Sequence, residues 1–122
     1  MRRFHWPLQR LLNVTIQRER SQQAEMLALS RLIAQLRQEA LVHRASVRRM
    51  LVQMAAVDFP ERVRRHRSFV NCSKAHERRI EQLEMKLAEL GRLRAERTRR
   101  LLETRKRRET LERLRAEARA EH

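Results

Sequence analysis

Between Pro7 and Pro60 the chain contains neither a glycine nor a proline, and Gly91 is the only glycine among its 122 residues. Tight turns depend on residues with a fixed or a positive φ, so a chain so poor in both has few places to reverse direction. A sheet needs a turn for nearly every strand, and strands favour aromatic and β-branched side chains; four aromatics and a few valines do not supply them. The chain is therefore expected to be all-α. Its 37% of charged residues, set among Leu, Ala, Gln and Met, is the profile of long helices and coiled coils. Catalytic groups usually sit on loops held by a scaffold, and with so little loop no enzyme is expected.

Pro7 suits the first turn of a helix, where the amide hydrogen it lacks has no partner anyway. Apolar residues in alternating steps of three and four then mark Met26, Leu29, Ile33, Leu36, Ala40, His43, Val47, Met50, Met54 and Val57. Leu27, Leu32, Leu41, Leu51 and Val52 widen this stripe. Extended backwards, the register meets Gln22, Glu19 and Thr15 before regaining Leu12 and Leu8, which leaves a polar gap. A first helix is expected over residues 7–57.

Asp58-Phe59-Pro60-Glu61 is the one break, with Asp58 and Glu61 spaced as in a capping box. A corner over 58–68 and a second helix over 69–120 are expected. The second seam runs through Phe69, Ser73, His76, Ile80, Leu83, Leu87, Leu90, Arg94, Arg97, Leu101, Thr104, Arg108, Leu111, Arg115 and Ala118, with Leu93, Leu102 and Leu114 beside it. Gly91 costs about 1 kcal/mol relative to Ala, too little to interrupt the helix. The expected fold is a long antiparallel two-helix coiled coil, a helical hairpin. Folding back at the corner brings Glu19 opposite the arginine-rich stretch between Arg97 and Arg108 and predicts a charge-paired register pin. Two helices bury one seam, so the apolar residues beside it are expected to stay open for a partner.

Catalytic, metal and cofactor motifs are absent from this pattern. No two of the five histidines lie three or four residues apart, and no metal site is expected; His43 and His76, on the two seams, read as a half-buried polar layer. Cys72 is the sole cysteine, which excludes an intrachain disulfide and makes a reducing compartment the default. It reads as a small buried hydrophobe near the second seam. Met1-Arg2-Arg3-Phe4 has a twin-arginine look, but Gln9, Arg10 and Asn13 interrupt the apolar run a signal peptide needs.

The formal charge is +15, from 30 basic and 15 acidic groups, with 27 Arg against 3 Lys. The first 60 residues carry 10 basic and 4 acidic groups (+6) and the remainder 20 and 11 (+9), so the excess is spread along the chain. The densest run is Arg105-Lys106-Arg107-Arg108. Such a helix suits nucleic-acid phosphates, but a basic zipper needs several apolar heptads after its basic stretch and only Leu111 and Leu114 follow. An acidic protein partner accounts for the charge equally well. An anionic membrane surface fits less well, because the basic residues do not cluster opposite one apolar face.

Both ends of the chain carry a family pattern. Phe4-His5-Trp6-Pro7-Leu8-Gln9-Arg10-Leu11-Leu12-Asn13-Val14, leading into Gln17-Arg18-Glu19-Arg20, resembles the opening of FliJ proteins of the bacterial flagellar export apparatus. Arg100-Leu101-Leu102-Glu103, followed by Arg105 to Arg115 with its Thr110-Leu111-Glu112-Arg113-Leu114, is similar to the closing stretch of that family. The resemblance implies a non-enzymatic central stalk for the hexameric export ATPase, peripheral at the cytoplasmic face of the inner membrane. It also implies contact with the transmembrane export gate and recycling of export chaperones, without cofactor or small-molecule ligand. Carried over, the ATPase-pore residues are Leu8, Leu12, Arg100, Leu101, Arg105, Arg107, Leu111 and Leu114, and the gate residue is Phe69. The Leu, Ala and His that follow that aromatic in the family are not matched by Ser73, His76 and Ile80, and there is no tyrosine. A stalk of a virulence-type secretion system and a basic nucleic-acid-binding coiled coil are the alternatives.

Overall fold

A computed structural model describes residues 3–122 as two helices, α1 (Gln9–Ala56) and α2 (Phe59–Glu121), with no strand among the described residues. The helices pack against each other as an antiparallel hairpin: Glu25 meets Arg97, Glu39 meets Arg79 and His43 meets His76. The contacts sort into two units. One joins the chain up to Ser30 with the chain from Arg92 onward, and the other is Arg31–Gly91.

The seam follows the heptad register. On α1, Leu12, Ile33 and Ala40 are buried, and Met26, Leu29, Leu36, His43, Val47, Met50 and Met54 are half-buried, as is Val57 just beyond the helix. On α2, Leu83, Leu90, Thr104 and Leu111 are buried. Register position Arg94 is exposed, and the neighbouring Leu93 turns inward by half in its place. The flanking Leu27, Leu32, Leu41, Leu51 and Val52 remain exposed, as one packing partner per helix requires.

Within Arg31–Gly91 the core is Ile33, Ala40, Leu83 and Leu90. Exposed ion pairs flank it: Arg79 meets both oxygens of Glu39 at 2.8 and 3.1 Å, and Arg44 meets Glu84 at 2.5 Å. In the other unit Trp6, Leu12 and Leu111 form a cluster capped by Phe4, Ile16 and Ala118. The residues before α1 are drawn onto the end of α2, where the Phe4 ring meets His122 edge-on with centroids 5.5 Å apart.

The corner is shorter than expected. Only Val57 and Asp58 separate the helices, and residues 59–68, assigned above to the corner, form the first turns of α2. Asp58 caps that helix at once: its Oδ1 accepts the Glu61 N–H at 2.9 Å, and its carbonyl accepts the Arg62 N–H at 2.9 Å. Pro60 lies in the first turn, where no amide donor is needed. Glu61 binds Arg64 and Arg65 instead of returning to Asp58, so i,i+3 and i,i+4 pairs support a stretch that has no buried stripe. Those arginines hold the Glu61 carboxyl below its ordinary value. Arg62 reaches back to the last carbonyls of α1, donating to Met54, Ala55 and Val57 at 3.1, 3.5 and 3.0 Å. It thereby satisfies acceptors that a helix end leaves open. Residues 62–68 are all exposed, so hydrophobic periodicity carries no signal for where between residue 59 and Ser68 the helix begins.

Leu83, at 2% exposure, anchors its unit. Leu83→Ala is expected to destabilise the chain by roughly 2–5 kcal/mol. Leu27→Ala, at a residue 53% exposed, should cost under about 0.5 kcal/mol. Urea unfolding followed by circular dichroism measures both, and equal costs would contradict the seam. By the same measurement Asp58→Ala should cost about 1 kcal/mol through the lost cap.

Candidate partner-binding site

The unit that holds both chain ends is built on a polar interruption of the seam. Thr15 and Thr104 are buried at 8% and 4% exposure, and each satisfies its hydroxyl within its own helix, Thr15 donating to the Leu11 carbonyl at 2.8 Å and Thr104 to that of Arg100 at 3.1 Å. Glu19 is 6% exposed. Its carboxylate accepts from Arg108 Nε and, at 3.4 Å, from both Arg108 Nη2 and Arg105 Nε. Glu25 and Arg97 pair at 2.6 Å farther along. The expected pin is therefore present, and at Glu19 it is buried.

The hydrogen bond from Arg108 holds the Glu19 carboxyl below its ordinary value of 4.5; burial opposes this, and Arg105 adds to it. In return Glu19 raises Arg108 further above the usual arginine value. Arg108 also binds Glu112 at 2.9 Å, which leaves it fully engaged within the chain.

Beside this layer lies an open groove of about 370 Å³, lined by Leu11, Thr15, Arg18, Thr104, Lys106, Arg107, Thr110 and Leu111. Small threonines at two seam positions leave the depression, and Leu11 at 51% exposure forms an apolar wall. Arg18, Lys106 and Arg107 supply positive charge at its rim, so the groove presents apolar surface with cations around it.

The residues singled out from sequence divide into two sets. Leu12 and Leu111 are buried in the Trp6 cluster, Leu101 is half-buried, and Arg105 is committed to Glu19; these hold the unit together. Leu8 at 41% and Leu114 at 39% exposure face solvent, as do Arg100, paired with Glu96 at 2.8 Å, and Arg107. Heptad position separates the sets only in part: Leu12, Leu101 and Leu111 lie on the strict register, but so does the exposed Leu8, and Arg105 lies one residue off it. Sequence reasoning missed Leu11, Val14 and Arg18, which are exposed on the same unit; their displacement from the register was the signal available.

In Arg31–Gly91, Phe69 is half-buried in a groove of about 180 Å³ with Met50, Met54, Arg65 and Cys72. Cys72 is free and exposed, not buried as expected, because the adjacent Ser73 takes the register position. Cys72 precedes His76 by four residues, one helical turn, a spacing that the expectation of no metal site left out of account. Among the described residues, however, no three His, Cys, Asp or Glu side chains converge as ligands. His43 and His76 meet across the seam.

What these features define is a helical hairpin with coiled-coil-like packing and a partly apolar, basic end. No described helix is long and apolar enough to cross a membrane. Comparison with known protein families, with curated proteins and with solved structures finds no match.

The lowered Glu19 carboxyl sets the sign of a pH effect. Its stabilisation is fully present above about pH 4.5, the unfolded value, and is lost as pH falls through the lower folded value. Glu19→Gln is expected to lower stability at neutral pH by about 1–2 kcal/mol. The gap between the two chains should narrow below pH 4.5 as Glu19 protonates. Thermal melts from pH 7 to pH 3 test this; a gap constant across that range would remove Glu19 as the pin.

Proposed function

We propose that this chain is a non-enzymatic interaction protein: the stalk of a flagellar-type export ATPase ring, which promotes ring assembly and couples it to the export gate and to chaperone recycling. The observation that carries the reading is the coincidence of its two family-like segments, residues 4–20 and 100–115, in one unit. There Trp6 and Leu12 from the first pack on Leu111 from the second. The exposed Leu8, Leu11, Arg107 and Leu114 form the docking surface, while Leu12, Leu101, Arg105 and Leu111 set its shape. Positive charge around apolar side chains suits an acidic partner, speeding encounter while the apolar contacts supply affinity. Phe69, in its groove with Met50 and Met54, is the corresponding candidate for the gate.

A basic helix that binds duplex nucleic acid is the competing reading, favoured by the +15 charge. The two are separated by capture of the flagellar export ATPase from the same organism on the immobilised chain, with duplex DNA as competitor. The expected outcome is capture that DNA does not displace. Leu8→Ser, Leu11→Ser and Leu114→Ser together should weaken it at least tenfold while helicity is retained. Absence of capture, with DNA binding that falls steeply with salt, would replace the stalk by the nucleic-acid reading.

A further inference from the structure

The histidine layer in Arg31–Gly91 does more than fill the seam. His43 on α1 and His76 on α2 bring their Nδ1 atoms to 2.8 Å, with ring centroids 5.1 Å apart and planes tilted by 55°. Two ring nitrogens that close form a hydrogen bond only if one carries a proton and the other offers a lone pair, so a lone pair points across the seam. Behind it, His43 Nε2 lies 3.7 Å from Glu39 Oε1. That carboxylate is itself held in place by Arg79, which donates to its two oxygens at 2.8 and 3.1 Å. A carboxylate behind an imidazole favours the proton on the nitrogen that faces it, here Nε2, and leaves the Nδ1 lone pair free, the outer arrangement found around metal-binding histidines.

We propose that His43 and His76 form a two-imidazole site for a borderline divalent ion such as zinc, nickel or copper(II), bound through both Nδ1 atoms. Moving the shared proton of the neutral pair from His76 Nδ1 to its Nε2 frees the second lone pair without net proton release. Zinc–nitrogen bonds of about 2.0–2.1 Å at a tetrahedral angle place the two nitrogens about 3.3 Å apart, so the nitrogens need to separate by about half an ångström and the rings to turn until both lone pairs meet at the ion. Both rings are half-exposed, which leaves room for that movement and for waters to complete the shell. With no third side chain converging among the described residues, the ion acts as a clip between the helices. An ion that binds the folded pair and not the unfolded chain stabilises by mass action.

The test is thermal melting and titration calorimetry of the metal-free full chain with zinc at pH 7.5, and magnesium as the hard-ion control. One zinc per chain and a saturable rise in Tm are expected, with no rise for magnesium. Either His43→Gln or His76→Gln should weaken binding at least tenfold. The combined His5→Gln, His66→Gln and His122→Gln chain should bind unchanged, as should Cys72→Ser. Absent stabilisation by zinc, retention of binding in His76→Gln, or its loss in Cys72→Ser would overturn the assignment. Should a histidine variant lose helicity, the ring ¹⁵N resonances of the unsubstituted chain decide: both Nδ1 signals shift on adding zinc if the site exists and stay in place if it does not.

Discussion

Register is the problem that a long antiparallel hairpin must solve, and the buried Glu19 carboxylate between Arg105 and Arg108 solves it here. A seam of leucines and alanines repeating every heptad keeps much of its contact if one helix slides by seven residues. A buried carboxylate tolerates less: sliding one way sets Glu19 against Leu101 and Thr98 with no guanidinium partner, and an unpaired buried charge costs far more than the slip gains, whereas sliding the other way brings up Arg115 alone. The threonines on either side strengthen the constraint differently. Because Thr15 and Thr104 satisfy their hydroxyls inside their own helices, they tolerate burial without demanding a partner, and their small size opens the groove beside them.

Much of the fold was legible in the sequence because the seam obeys one simple period. Nearly every heptad position from Leu12 to Val57, and from Phe69 to Ala118, is turned inward. The exceptions have local causes. Residues 59–68 looked like a loop because they bury nothing; what makes them helical is the Asp58 cap and the Glu61 pairs, which hydrophobic period does not report. The site was less legible. Resemblance selects residues without separating those that build a surface from those that form it, so Leu12 and Leu111 were grouped with Leu8 and Leu114 although the first two are core. The convergence of His43 and His76 as a polar layer followed from register, but the carboxylate behind His43 and its arginine needed coordinates.

The arginine excess acquires a structural reading from its partners. Several guanidiniums are spent inside the chain: Arg62 on helix carbonyls, Arg79 on Glu39, Arg97 on Glu25, and Arg105 and Arg108 on Glu19. Planar, multidentate donors suit these tasks better than lysine, whose ammonium is a point charge on a flexible stem. Arg18 and Arg107 sit instead at the rim of the groove near the chain ends.

The cross-helix links differ greatly in sequence span. Arg62 reaches carbonyls five to eight residues away, Arg79 and Glu39 are 40 apart, and Arg108 and Glu19 are 89 apart. Closing the longest loop first carries the largest entropic cost, whereas closure that spreads from the corner adds one short increment at a time. The hairpin thus behaves as a zipper fastened at the corner, and its ends are the last part to close and the first to fray. Those ends hold the groove and the exposed leucines. Any molecule that bound the closed end and not the frayed one would hold the zipper shut and slow its coming undone.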